Sequence, residues 1–177
     1  MKKIKLISIL LSSSFLAFII FATSCKEEDN TSNPNPTNNE FIADSNTFVS
    51  YLSWPIEATF NGADPSLGMA HAGNDSTAIR RVHFKDGVNR LNGKFPIGSV
   101  IVKHTTNAAG TLNEFTGMVK RGNGFNPNFG DWEFFMLTSD GKIASDMGMP
   151  MRGANLMNGM CGGCHTGAAN KDFIFSK

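Results

Sequence analysis

Beyond residue 40 no long stretch of this chain keeps an apolar period of 3.6 residues, and 18 glycines, the first at Gly62, break it into short pieces. A helical bundle needs long amphipathic segments. The pattern points instead to a mainly β (α+β) fold, an antiparallel sheet with a few short helices. Arg81-Val82-His83-Phe84 and Ser99 to Lys103 read as strands, the second rich in β-branched residues. Glu114 to Lys120 and Trp132 to Leu137 are further strands, separated by the Gly- and Asn-rich loop from Arg121 to Asp131. Ser139-Asp140-Gly141-Lys142 carries the Asp-Gly hairpin signal. Ser45 to Leu52 reads as a short helix, capped by Asp44 or Ser45 and stopped by Pro55.

The first 40 residues belong to a different regime. Basic residues Lys2, Lys3 and Lys5 precede an apolar run from Leu6 to Phe21, followed by Ala22-Thr23-Ser24-Cys25. Residues 1–24 therefore read as a signal peptide rather than a retained span, because the run is short and small residues follow it. The context of Cys25 resembles a bacterial lipobox, which makes Cys25 the lipidated first residue of the mature chain. Residues 26–40 contain no apolar side chain and read as a flexible tether. The expectation is an exported protein, lipid-anchored to the bacterial membrane and facing the periplasm or the cell surface, with residues 41–177 as one domain. Loss of residues 1–24 leaves 13 of the 16 basic residues against 15 acidic ones, a net charge near −2. That balance gives no reason to expect nucleic acid as a partner.

Cys161-Gly162-Gly163-Cys164-His165 is a C-x-x-C-H pentapeptide close to the end of the chain. In an exported chain this reads as covalent attachment of one haem c. Two thiols one helical turn apart can add to the two vinyl groups of a haem, and the next residue offers an imidazole to the iron, making His165 the proximal ligand. A zinc site would need a second ligand pair, yet the remaining cysteine is Cys25 and His71, His83 and His104 are scattered. A thioredoxin-like dithiol would follow a strand in a βαβ unit, which is not the context here. An ordinary electron-transfer cytochrome c has a methionine ligand downstream of the motif, but the 12 residues after His165 include none.

Five segments together resemble the cytochrome P-460 family. They are Ala78 to Phe84, Phe95-Pro96-Ile97-Gly98 through Lys103, Gly130-Asp131-Trp132-Glu133-Phe134, Cys161 to His165, and Asp172-Phe173-Ile174-Phe175. The resemblance covers the chain from Trp54 onward. It implies an antiparallel β fold with a C-terminal haem-attachment helix, commonly a homodimer, with a five-coordinate haem whose distal side is open. Members oxidise hydroxylamine and pass the electrons to an external acceptor. The related cytochromes c′-beta bind nitric oxide or carbon monoxide instead, so a gas-binding or electron-transfer protein is the alternative.

The resemblance also assigns residues. Lys103 occupies the position of the lysine that bonds covalently to a haem meso carbon in the hydroxylamine-oxidising members; read by itself it is a solvated strand-end lysine, the usual fate of lysine. His104 follows it, where the family often has glutamate. Arg80 matches a distal-pocket arginine able to hydrogen-bond a bound nitrogen ligand or a propionate, and a surface ion pair is its bland alternative. In an extended segment Arg81 would face the other way. Hydroxylamine oxidation needs a proton acceptor, and Asp146 is the sole acid between residues 146 and 160, the loop where the family tends to place one. Met147, Met149, Met151, Met157 and Met160 read as packing around an apolar cofactor rather than as a sixth ligand, and Phe125, Phe129, Trp132, Phe134 and Phe135 as core and haem-edge packing.

Overall fold

The computed structural model describes residues 39–176. The expected signal peptide, Cys25 and nearly all of the expected tether lie outside them. Six strands form one antiparallel sheet in the order β1-β2-β3-β4-β5-β8: β1 Ile56–Asn61, β2 Ile79–Phe84, β3 Val100–Thr106, β4 Asn113–Lys120, β5 Trp132–Leu137 and β8 Arg152–Gly153. β6 Ser145–Asp146 and β7 Met149–Pro150 make a separate small hairpin, and α1 Met160–His165 follows β8. Among the described residues no helix is long and apolar enough to cross a membrane.

Period-two alternation gives the sheet two apolar faces. Val100, Val102, Phe115, Val119, Phe135 and Leu137 pack on one side with Phe48 and Tyr51 of the preceding segment. Val82, Ile101, Met118 and Phe134 pack on the other with Ile174 near the end of the chain. The four strands read from the sequence are present, as is the Asp-Gly turn, where Thr138 N–H donates to Lys142 O at 2.9 Å.

Two local expectations are corrected. Residues 45–50 form successive turns and only Tyr51–Ser53 completes a 3-10 turn. Asp44 does cap, accepting from Asn46 N–H and the Thr47 hydroxyl at 2.9 Å each. The helix cannot propagate because Ser50 sits at φ 68°, in the left-handed region. β1 was not legible, because in this edge strand Ala58 alone is buried and a bulge at Glu57 interrupts the pairing with β2.

Candidate haem pocket

α1 is six residues long, and its sequence sorts by face. Cys161, Cys164 and His165 stand at i, i+3 and i+4, the spacing that brings side chains together on one side of a helix. All three line one cavity of about 600 Å³. Gly162 faces away and is buried, and a Cβ there would lie 2.7 Å from Phe129 Cε2. Gly163 would meet nothing within 4 Å. The glycine pair thus divides its work: the first lets α1 approach Phe129, the second has no steric requirement.

His165 Nδ1 lies 2.6 Å from the Phe173 carbonyl oxygen and donates to it. That bond places the proton on Nδ1 and leaves Nε2 as the lone-pair nitrogen. Burial, with the charge of Lys103 adding to it, pushes the imidazole down to about 4, so His165 is neutral at physiological pH. The thiols are free and half-buried, and burial raises Cys161 above its ordinary value. Phe60, Val82, Ile101, Phe134, Ile174 and Phe175 contribute apolar wall to the same cavity. A cavity of this volume is ordinary for a cofactor site. Two thiols, a tautomer-fixed neutral imidazole and apolar walls are the donor set and the surroundings that a haem c requires, so the residues present fit that group. Among the described residues no cluster of His, Cys, Asp or Glu forms a site for a bare metal ion.

The sheet supplies further wall residues. Lys103 is in register with Val82 on β2 and Thr116 on β4, on the cavity face. Desolvation pushes its ammonium down to about 8 from 10.5, although Glu114 pulls the other way. It is therefore a wall residue of the cavity and not a solvated strand end. Arg80 is 2% exposed and also lines the cavity. Its Nε donates to His71 O at 2.7 Å, and its Nη2 to Gly62 O and Ala72 O at 3.0 Å each. The guanidinium thus fastens the loop of residues 62–73 to the sheet. Arg81, on the other face, is only half-buried.

Glu114 was missed by the sequence reading. It lies across from Thr105, which in turn pairs with Arg80, so the three share one row on the cavity side. Its Oε1 is 2.5 Å from Nδ1 of His71, which comes from the fastened loop, and both residues line the cavity. Burial would raise the Glu114 carboxyl, but the His71 bond and the charges of His71, Lys103 and Arg80 outweigh it and hold the group below its usual value. His71 is itself lowered, chiefly by burial, with Glu114 opposing. Asp146 is exposed on the β6–β7 hairpin and does not line the cavity.

Of the five methionines between residues 147 and 160, Met157 and Met160 line the cavity, with Met69, Met118 and Met136 from elsewhere in the chain. Met147 and Met149 are exposed to solvent on the hairpin, a correction to the packing expectation. Trp132, Phe134 and Phe135 are buried as expected, and Phe129 packs on the cavity-side core. Phe125 instead lies under the Arg121 guanidinium, 4.0 Å from ring centre to Cζ. Comparisons with family models, curated proteins and solved structures return no match.

Proposed function

We propose that this chain is an exported monohaem c-type cytochrome of the cytochrome P-460 kind, lipid-anchored through Cys25, which oxidises hydroxylamine and hands the electrons to an external acceptor. The observation that carries the reading is the convergence of Cys161, Cys164 and His165 with Lys103, Glu114 and His71 on one cavity. Cys161 and Cys164 would hold the haem by thioether bonds and His165 would ligate the iron through Nε2. When bound, the haem supplies an iron that ligates the substrate nitrogen and accepts its electrons.

The chain's own residues account for the remaining requirements. Each electron taken from hydroxylamine leaves with a proton, and a positioned base must receive it. Glu114 is ionised, inside the cavity, and carries the His71 bond that keeps it so. His71 holds the carboxylate in place and offers Nε2 as the next proton station. Lys103, with its lowered pKa, presents a neutral amine far more often than an ordinary lysine, which suits it to form a C–N bond to the macrocycle. Arg80 keeps the His71 loop seated. Apolar walls exclude bulk water and strengthen these interactions.

The test is turnover. Protein produced with the haem-attachment machinery should oxidise hydroxylamine with an artificial electron acceptor, and Lys103→Ala should keep nitric oxide binding while losing that oxidation. Nitric oxide binding without turnover in the parent protein would replace this reading with the gas-binding one.

A further inference from the structure

Asp172 and Phe173 are consecutive non-glycine residues in the left-handed region, at φ 53° and 66°. Such backbone persists only where its surroundings over-determine it, and here they do. Both Asp172 carboxylate oxygens accept from Lys120 Nζ at 2.8 Å, and Oδ2 also accepts from Phe95 N–H at 2.8 Å. The Asp172 carbonyl accepts from the indole of Trp132 at 2.8 Å. Trp132 is fully buried, and Lys120 Nζ lies 5.2 Å from its ring centre. Lys120 and Asp172 are themselves 8% and 4% exposed. The next carbonyl along the chain, that of Phe173, is the one His165 Nδ1 bonds at 2.6 Å.

A buried ion pair of this kind is weak evidence for stability, since well-packed apolar residues often do as well. Its location suggests another use. We infer that Lys120, Asp172 and Trp132 form a positioning clamp that sets the hydrogen bond from His165 to the Phe173 carbonyl, and through it the donor strength of His165 toward a haem iron. This rests on the proposed haem reading. A carbonyl held firmly against Nδ1–H makes Nε2 more basic, and a more basic axial ligand favours ferric over ferrous iron and lowers the potential. The clamp acts through the backbone, so its members touch neither cofactor nor substrate.

The test uses the haem-loaded protein and the double variant Lys120→Met with Asp172→Asn, which keeps size and removes both charges together. The expected results are a lower iron–histidine stretching frequency in the ferrous protein and a roughly tenfold rise in the reduced-to-oxidised ratio at fixed poise, about 59 mV for a one-electron couple. A pair acting only through its charges would shift the potential oppositely in the two single variants and leave the double unchanged, and that pattern would overturn the clamp. If the double variant does not fold, Trp132→Phe keeps both charges, removes the indole donor with part of the ring, and should shift both readouts in the same direction by less; an unchanged stretching frequency there would equally overturn it. Parent protein lacking covalent haem would instead overturn the haem reading, and this is seen before any variant is made.

Discussion

His71 Nδ1 donates to Glu114 Oε1 at 2.5 Å across 43 residues of sequence, and both side chains line the cavity that holds the C-x-x-C-H helix face. A base so placed predicts that Glu114→Gln lowers hydroxylamine oxidation by roughly 10²–10⁴-fold while leaving nitric oxide binding and haem content unchanged. Steady-state rates beside a nitric oxide titration check this. Equal loss of both would mean that Glu114 holds the pocket together rather than accepting a proton.

The same pair sets a pH dependence. Because the Glu114 carboxyl is held below 4.5, its base form persists as pH falls, and the acid limb of kcat/KM should lie below the usual carboxylate range. His71→Leu removes the bond that opposes burial, so the carboxyl rises and the acid limb should move to higher pH. The stability linkage has the matching sign. The Glu114 contribution is present above the unfolded carboxyl's pKa and is lost as pH drops through the folded value. A profile unmoved by His71→Leu would contradict the pairing.

Arg80 should matter through the loop it fastens. Arg80→Leu leaves the carbonyls of Gly62 and His71 without the guanidinium donor and leaves Ala72 O with Asp75 N–H alone, at a cost of roughly 1–3 kcal/mol for each carbonyl left unpaired and kept from water. Arg80→Lys keeps charge but not the fork, and should recover only part of the loss. Thermal midpoints, with hydrogen exchange across residues 62–73, report this, and unchanged exchange there would show that the loop does not depend on the guanidinium.

The glycines between the cysteines should respond oppositely. Gly162→Ala drives a Cβ to 2.7 Å from Phe129 Cε2 and should destabilise by roughly 1–3 kcal/mol. Gly163→Ala meets nothing and, lying in a helix, should stabilise by roughly 0.5–1 kcal/mol. Denaturant midpoints decide it, and equal effects would mean that α1 does not pack on Phe129 as described.

Lys103 gives a chemical prediction. Bonding its nitrogen to a haem carbon starts from the neutral amine, replaces one N–H and one C–H bond by a C–N bond, and passes the two protons and two electrons to an added two-electron oxidant such as hydrogen peroxide, which is reduced to water. With its pKa near 8, cross-linking should increase as pH is raised from 7 to 9. Peptide mapping should find the Lys103 and Cys161 segments joined through one haem. Thioether links alone would leave Lys103 as an uncoupled wall residue.

Part of the fold and of the site was legible: the clustering of the α1 cysteines and histidine from their spacing, the main strands from β-branched and apolar runs between turn signals, and the place of Lys103 on one of those strands. Glu114 and His71 were not, because their pairing depends on a loop whose path is set by Arg80 bonding backbone carbonyls, and carbonyls leave no mark in a sequence. A partial signal existed. Glu114, Thr116 and Met118 alternate along β4 on the side that Lys103 shares once the β3–β4 register is known. Short segments misled where one residue's backbone decided the outcome, as Ser50 does for the turns of residues 45–50.

The most direct test of the whole account is the intact mass of the exported protein under denaturing conditions, after production with haem-attachment machinery. The expected mass is that of the lipidated mature polypeptide plus one haem, and the haem increment survives unfolding and is lost when Cys161 and Cys164 are both changed to Ala. The mass of the polypeptide alone, with both thiols open to alkylation, would contradict it.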